Sequence, residues 1–156
     1  MKRAFPLLFA LSVFWAVPGE AFSDLPESER ISADELRSEQ MAKKDLVLLD
    51  ARDRKSYEDG HVAGAKLPLS ENFYRQQGLY DTQITSTAPD RNAALAEAMK
   101  DTPKEAAIVT YCNTDCRASV HLLLSLKSLG FSNVKAMEEG FQAWEAKGYP
   151  VERKEI

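Results

Sequence analysis

The chain reads as an α/β domain built on a mainly parallel sheet, and three observations lead there. Short continuous apolar runs such as Leu46–Leu49 and Ala106–Tyr111 have the length and composition of strands buried on both faces. They alternate with stretches that carry helix start and stop signals, the pattern of a strand–helix–strand fold. The 156 residues, 44% hydrophobic and 28% charged, suit one domain and not two.

The elements follow in order. Met1, Lys2 and Arg3 precede an apolar run from Ala4 to Val17, and Gly19 and Ala21 are small residues at the −3 and −1 positions of a cut after Ala21. Residues 1–21 therefore read as a secretory signal. The apolar run would rise only about 21 Å as a helix, against a bilayer core of about 30 Å, so it does not read as an anchor. The mature protein is expected to be exported, periplasmic or secreted, without stable membrane insertion. Residues 22–30 are polar and contain a Pro, and read as a loose arm. Ser32 and Glu35 form a capping box, which predicts a helix from there to about Lys43 with Leu36 facing inward. Leu46–Leu49 is a buried strand that ends at Asp50. Arg54–Asp59 is a short polar helix or turn closed by Gly60. Ala65–Leu69 is read as a second short strand.

Residues 70–89 show no period, and an irregular connection of that length is often functional. Asp90 opens a helix with Leu95 and Met99 on one face, stopped by Asp101, Thr102 and Pro103. Ala106–Tyr111 is a buried strand. Ala118–Leu129 is a largely buried helix whose polar face is His121, Ser125 and Ser128, with Gly130 as its C′ residue. Val134–Met137 is a last strand. Phe141 and Trp144 mark one face of a final helix, which ends at Gly148 with Pro150 beyond.

Composition excludes several classes. The formal charge is −4, with no basic run, which makes nucleic acid a poor partner. Two Cys rule out a disulfide-built miniprotein, and two Cys with two His leave too little for a four-ligand metal site. No metal or cofactor is expected.

The segment from Tyr111 to Ser119 carries the chemistry. Ligands of a parallel sheet bind beyond the carboxyl ends of its strands, and Cys112 is the first residue past such an end. The loop leads into a helix N-terminus, whose unpaired N–H groups and dipole favour an anion, so a thiolate there is expected to have a lowered pKa. Arg117 is placed to close the loop or add positive charge. A buried structural Cys is the alternative that spacing alone leaves open.

Leu48–Arg52 and Tyr57–Ala65, then Tyr111–Arg117, then Glu139–Val151, resemble in order and spacing the signatures of the rhodanese (thiosulfate sulfurtransferase-like) family. The resemblance covers about residues 31–151, leaving 152–156 as a tail. It implies a single rhodanese-like domain: a central, mainly parallel sheet of about five strands flanked by helices. It also implies a sulfurtransferase. Cys112 would take a sulfane sulfur from a donor (thiosulfate, polysulfide or persulfide), hold it as a persulfide and pass it to cyanide or a thiol. The N–H groups of Asn113, Thr114, Asp115, Cys116 and Arg117 would cradle that sulfur, and Arg117 matches the family's loop-closing position. Asp50 and Arg52 would be ion-pair scaffolding, and His61 would orient the backbone between Gly60 and Gly64. A sulfur-carrier or redox protein is a candidate partner. Cys112 and Arg117 enclose four residues, where the similar phosphatase and arsenate-reductase branch encloses five, and the tighter loop suits one sulfur atom.

Two residues depart from the family pattern. Asp115 stands where many thiosulfate-using members carry basic residues. At about 5 Å and an effective dielectric near 20, each like-charge pair costs roughly 3 kcal/mol before screening. Cys116, four residues after Cys112, is a candidate resolving thiol, since helical spacing would put the two Cα atoms about 6 Å apart. Two alternatives to sulfur transfer thus stand: a thiol–disulfide or redox-sensing protein using Cys112 and Cys116, and a non-catalytic fold presenting residues 70–89 to a partner.

Overall fold

Four short runs of mostly aliphatic residues pair in register into one parallel sheet. The computed structural model describes residues 22–42, 45–69 and 89–154. Its strands are β1 (Arg30–Ile31), β2 (Val47–Asp50), β3 (His61–Val62), β4 (Ile108–Tyr111), β5 (Val134–Met137) and β6 (Val151–Glu152). Its helices are α1 (Ala33–Ala42), α2 (Arg54–Asp59), α3 (Pro89–Ala98), α4 (Ala118–Ser128) and α5 (Gly140–Ala146). The sheet order is β1–β5–β4–β2, with every neighbouring pair parallel. The signal segment 1–21 and residues 70–88 lie outside the described residues.

Because side chains alternate along a strand, the sheet sorts its residues onto two faces. Leu49, Ile108 and Cys112 share one apolar cluster with Leu95 of α3 and with Leu122, Leu123 and Leu126 of α4. Leu48, Val109 and Tyr111 share the other with Leu36 of α1 and with Phe141 and Trp144 of α5. The two clusters make a three-layer α/β domain.

Local signals that need no distant partner appear as expected. The Ser32 N–H donates to Glu35 Oε2 at 2.9 Å and the Glu35 N–H to Ser32 Oγ at 3.2 Å, a complete capping box. At the end of α4, Gly130 has φ +91°, and the N–H groups of Gly130 and Phe131 donate to the carbonyls of Lys127 and Leu126 at 2.9 and 3.2 Å. This is a Schellman motif with Gly at C′. Leu124 of the same helix is 50% exposed, so its apolar stripe is narrower than expected.

Elements that depend on distant segments differ from the sequence expectation. Among the described residues the sheet has four strands, where about five were expected. The strand expected over 65–69 reduces to one bridge, Lys66 with Leu49, because Pro68 has no N–H with which to extend the ladder. The arm 22–30 is not loose. Phe22 and Leu25 are buried against the α4 side of the sheet, and Arg30 enters β1 while its guanidinium donates to the Leu25 carbonyl at 2.9 and 2.5 Å. Two aliphatic or aromatic side chains, each worth about 1.5–3 kcal/mol when fully buried, hold this segment down. Nor are residues 152–154 a free tail. Glu152 pairs with His61 in an antiparallel β3–β6 ribbon, and the Lys154 N–H donates to the Glu58 carbonyl at 3.1 Å. Strands of two residues carry no readable period, which is why β1, β3 and β6 escaped notice.

Candidate active site

β4 ends at Tyr111, and the chain then turns through residues 112–117 into α4. The alternation that points Tyr111 to the α5 side points Cys112 to the α4 side, where it is 1% exposed. The turn is tight. The Cys116 N–H donates to the Asn113 carbonyl at 3.2 Å, and Asp115 has φ +57°, a left-handed conformation that Asp tolerates better than most residues.

The start of α5 clamps this loop from outside. The Phe141 N–H donates to the Cys112 carbonyl at 2.9 Å. Gln142 takes the Thr114 N–H on Oε1 and gives its own Nε2–H to Asn113 Oδ1, both at 2.9 Å. Thr114 Oγ1 donates to the Glu139 carbonyl at 2.9 Å, while the Glu139 carboxylate accepts the Ala33 N–H at the start of α1. Gly140, at φ +76°, lies so close that a Cβ there would sit 2.4 Å from Thr114 N. The sequence offered Gly140 as part of a resemblance but no hint of this contact.

Beneath the loop, a buried polar cluster braces the strand ends. Asp50 is fully buried and accepts Arg52 Nη2 and the Tyr111 hydroxyl, each at 2.7 Å. Arg52 also donates to the Gly60 carbonyl at 2.6 Å, and its guanidinium lies 4.0 Å from the Phe141 ring centroid. The Tyr111 hydroxyl in turn accepts the Val62 N–H at 3.1 Å. Asp50 and Arg52 thus tie β2, β3 and β4 together from below the loop. His61 stacks on Tyr57 and donates from Nδ1 to the Tyr57 carbonyl at 2.8 Å, with Glu152 3.5 Å from Nε2. It holds the α2–β3 turn to β6.

Three expectations for the site change. The Cys112 pKa is raised, not lowered. The thiol donates to the Cys116 carbonyl at 2.8 Å, and its hydrogen bond with the Cys116 thiol, together with burial, pushes its pKa well above the ordinary cysteine value. Hydrogen bonds from Ser119 pull the other way without prevailing. The cradle also differs, since the N–H groups of Thr114 and Cys116 are committed to Gln142 and Asn113. The groups able to donate to the Cys112 sulfur belong to Ser119, whose hydroxyl lies 3.4 Å away and whose N–H also bonds to it. Ser119, two residues beyond Arg117 and the second residue of α4, ends the segment that the sequence singles out but has no role assigned to it there. Finally, the Arg117 guanidinium is engaged by a partner from outside the loop. It is half exposed and pairs with Asp24 at 3.0 Å, tying the amino-terminal segment to the start of α4. Asp24 precedes the recognisable signatures, so sequence reasoning had no reason to pair them.

The rhodanese-like domain family model matches residues 32–147. Among solved structures, the chain is similar to a protein of Anabaena sp., with 25% identity over 81% of this chain and 94% of the other and a TM-score of 0.59. It is similar to a rhodanese-like domain protein from Staphylococcus aureus, at 20% identity over 81% of this chain and 99% of that one, with a TM-score of 0.55. A thiosulfate sulfurtransferase from Pseudomonas aeruginosa matches at 19% identity over 90% of this chain but 24% of its own, with a TM-score of 0.56. No curated protein matches the sequence significantly.

Proposed function

Because the chain belongs to the rhodanese-like domain family, we propose that it is a sulfurtransferase that carries a sulfane sulfur on Cys112. The observation that supports this reading is the position of the Cys112 sulfur: past the end of a central strand, inside a four-residue loop, against the first turn of α4. In the reaction, the Cys112 thiolate attacks the outer sulfur of thiosulfate, a polysulfide or a persulfide. The donor's sulfur–sulfur bond breaks, sulfite or a shorter sulfur chain leaves with the electron pair, and Cys112 holds the persulfide. Cyanide or a thiol then attacks the outer sulfur and regenerates the thiolate.

The resting thiol must first give up its hydrogen bond to the Cys116 carbonyl. Loss of that proton leaves the sulfur facing the N–H and hydroxyl of Ser119, dipoles already in place to receive negative charge. Activation on this reading accompanies donor entry. The α5 clamp keeps the loop backbone at the correct height while it occurs. Export belongs to the same proposal: a signal at 1–21 would put the sulfur chemistry outside the cytoplasm, with a sulfur-carrier or redox protein as the natural acceptor.

The test is intact-mass analysis after incubation with thiosulfate or polysulfide, with peptide mapping. Quenched within seconds of mixing, Cys112 is expected to carry the mass of one extra sulfur atom, and with cyanide present from the start the protein is expected to form thiocyanate. Cys112→Ser is expected to fold, gain no sulfur and form no thiocyanate. Full thiocyanate formation by Cys112→Ser would overturn the reading.

A further inference from the structure

We propose that Cys116 is a resolving thiol that discharges the Cys112 persulfide inside the loop, releasing hydrosulfide and leaving a Cys112–Cys116 disulfide. This rests on the sulfurtransferase reading and names what becomes of the sulfur.

The geometry of the loop carries it. Neither cysteine is in a disulfide, and the Cys112 thiol makes a hydrogen bond to residue 116. The Cys112 sulfur already points at residue 116, whose carbonyl is 2.8 Å away. The turn that brings them together is held by the Asn113–Cys116 hydrogen bond and by the left-handed Asp115. Cys116 Sγ accepts the Ala118 N–H at 3.4 Å. Ala118 is the first residue of α4, an 11-residue helix, so one of the helix's unpaired amides faces the Cys116 sulfur and favours negative charge on it. The exposures divide the roles. Cys112 is 1% exposed, so an outside thiol reaches the inner sulfur of its persulfide with difficulty, whereas Cys116 is partly buried and its own backbone already meets that sulfur. A thiol held against its target has an effective concentration far above that of any free thiol.

The step balances. The Cys116 sulfur attacks the inner sulfur of the Cys112 persulfide, and a bond forms between the two Sγ atoms. The bond from Cys112 Sγ to the sulfane sulfur breaks, and its electron pair leaves with that sulfur. One proton goes with it, so the product is HS⁻. The two cysteines are oxidised by two electrons, and the sulfane sulfur is reduced by two to sulfide. An external dithiol resets the protein by thiol–disulfide exchange. The net reaction consumes one sulfane sulfur and one dithiol, and yields one hydrosulfide and one disulfide.

The experiment uses the reduced, desalted full chain, thiosulfate as donor and glutathione persulfide as a second donor. Sulfite, hydrosulfide, free thiols and intact mass are read together. Wild type is expected to release one hydrosulfide per chain, lose two hydrogens and show no thiol to iodoacetamide, and dithiothreitol is expected to allow a second round. Cys116→Ser is expected to keep the extra sulfur on Cys112 and to release about tenfold less hydrosulfide or lower still. Cys116→Ala, a small apolar residue at a partly buried position, repeats the test should the serine variant fail to fold. If wild type, without cyanide, still holds the extra sulfur on Cys112 at the end of a long incubation and releases no more hydrosulfide than the variants, the resolving role is overturned and sulfur transfer stands. If folded Cys116→Ser gains no sulfur from either donor, the sulfurtransferase reading falls, and the resolving role with it.

Discussion

Gly140→Ala tests whether the loop above Cys112 owes its position to the start of α5. A Cβ on Gly140 would lie 2.4 Å from Thr114 N, 2.6 Å from Asn113 C and 2.9 Å from Thr114 Cα, and all three are backbone atoms that cannot rotate away. Ordinary contact begins at 3.4 Å, so the loop must move by about 1 Å. A non-glycine residue at φ +76° adds roughly 1–2 kcal/mol of its own. Overpacking adds about 1–3 kcal/mol more, for a total of about 2–5 kcal/mol. A domain with 5–15 kcal/mol of stability stays folded under such a load, at about the usual range. A 1 Å displacement of the sulfur's surroundings is expected to cost about a hundredfold in sulfur transfer. Gly148→Ala is the matched control, since φ there is +70° but a Cβ would meet nothing within 4 Å. It is expected to carry the backbone strain alone, at roughly 1–2 kcal/mol, with unchanged transfer. The assays are urea denaturation and thiocyanate formation. Equal stability losses in the two variants, with full activity in Gly140→Ala, would refute the clamp.

Three further outcomes follow from the same contacts. Tyr111→Phe removes a hydroxyl that serves both Asp50 and the Val62 N–H, and is expected to cost about 1–3 kcal/mol in urea denaturation; a loss below about 0.5 kcal/mol would show that these buried groups find other partners. Asp115→Asn keeps a residue that tolerates the left-handed turn and removes the loop's negative charge, so kcat/KM for thiosulfate is expected to rise roughly three- to tenfold relative to polysulfide, less than the unscreened repulsion because the side chain is exposed. The Cys112 thiol is held protonated by Cys116 and by burial, so its thiolate fraction falls short of an ordinary cysteine's at neutral pH and grows as pH rises. Alkylation of Cys112 in donor-free protein, followed by peptide mapping, is therefore expected to accelerate about tenfold per pH unit from pH 7 upward; a rate that levels off below pH 7 would mean that the resting sulfur is already ionised.

Sequence alone determined the features whose causes lie within a few residues of one another. The capping box at Ser32, the Schellman end at Gly130 and the continuous apolar runs of β2, β4 and β5 each depend on neighbours in the chain, so their signals are local. The position of Cys112 past a strand end was legible for the same reason, and the pairing of Asp50 with Arg52 two residues on needed only the ordinary attraction of buried opposite charges. Tertiary structure decided what depends on segments far apart in the chain. The order β1–β5–β4–β2 and the two-residue strands β1, β3 and β6 arise from pairings across as many as 106 positions, as between Arg30 and Ala136, and such short strands have no period to read. Burial of Phe22 and Leu25 drew down an arm whose polar composition suggested freedom, and Asp24 within it pairs with Arg117. The protonation of Cys112 was settled last, because it balances a helix N-terminus, visible in sequence, against a carbonyl 2.8 Å away and nearly complete desolvation, which exist only once the loop has closed beneath Gly140.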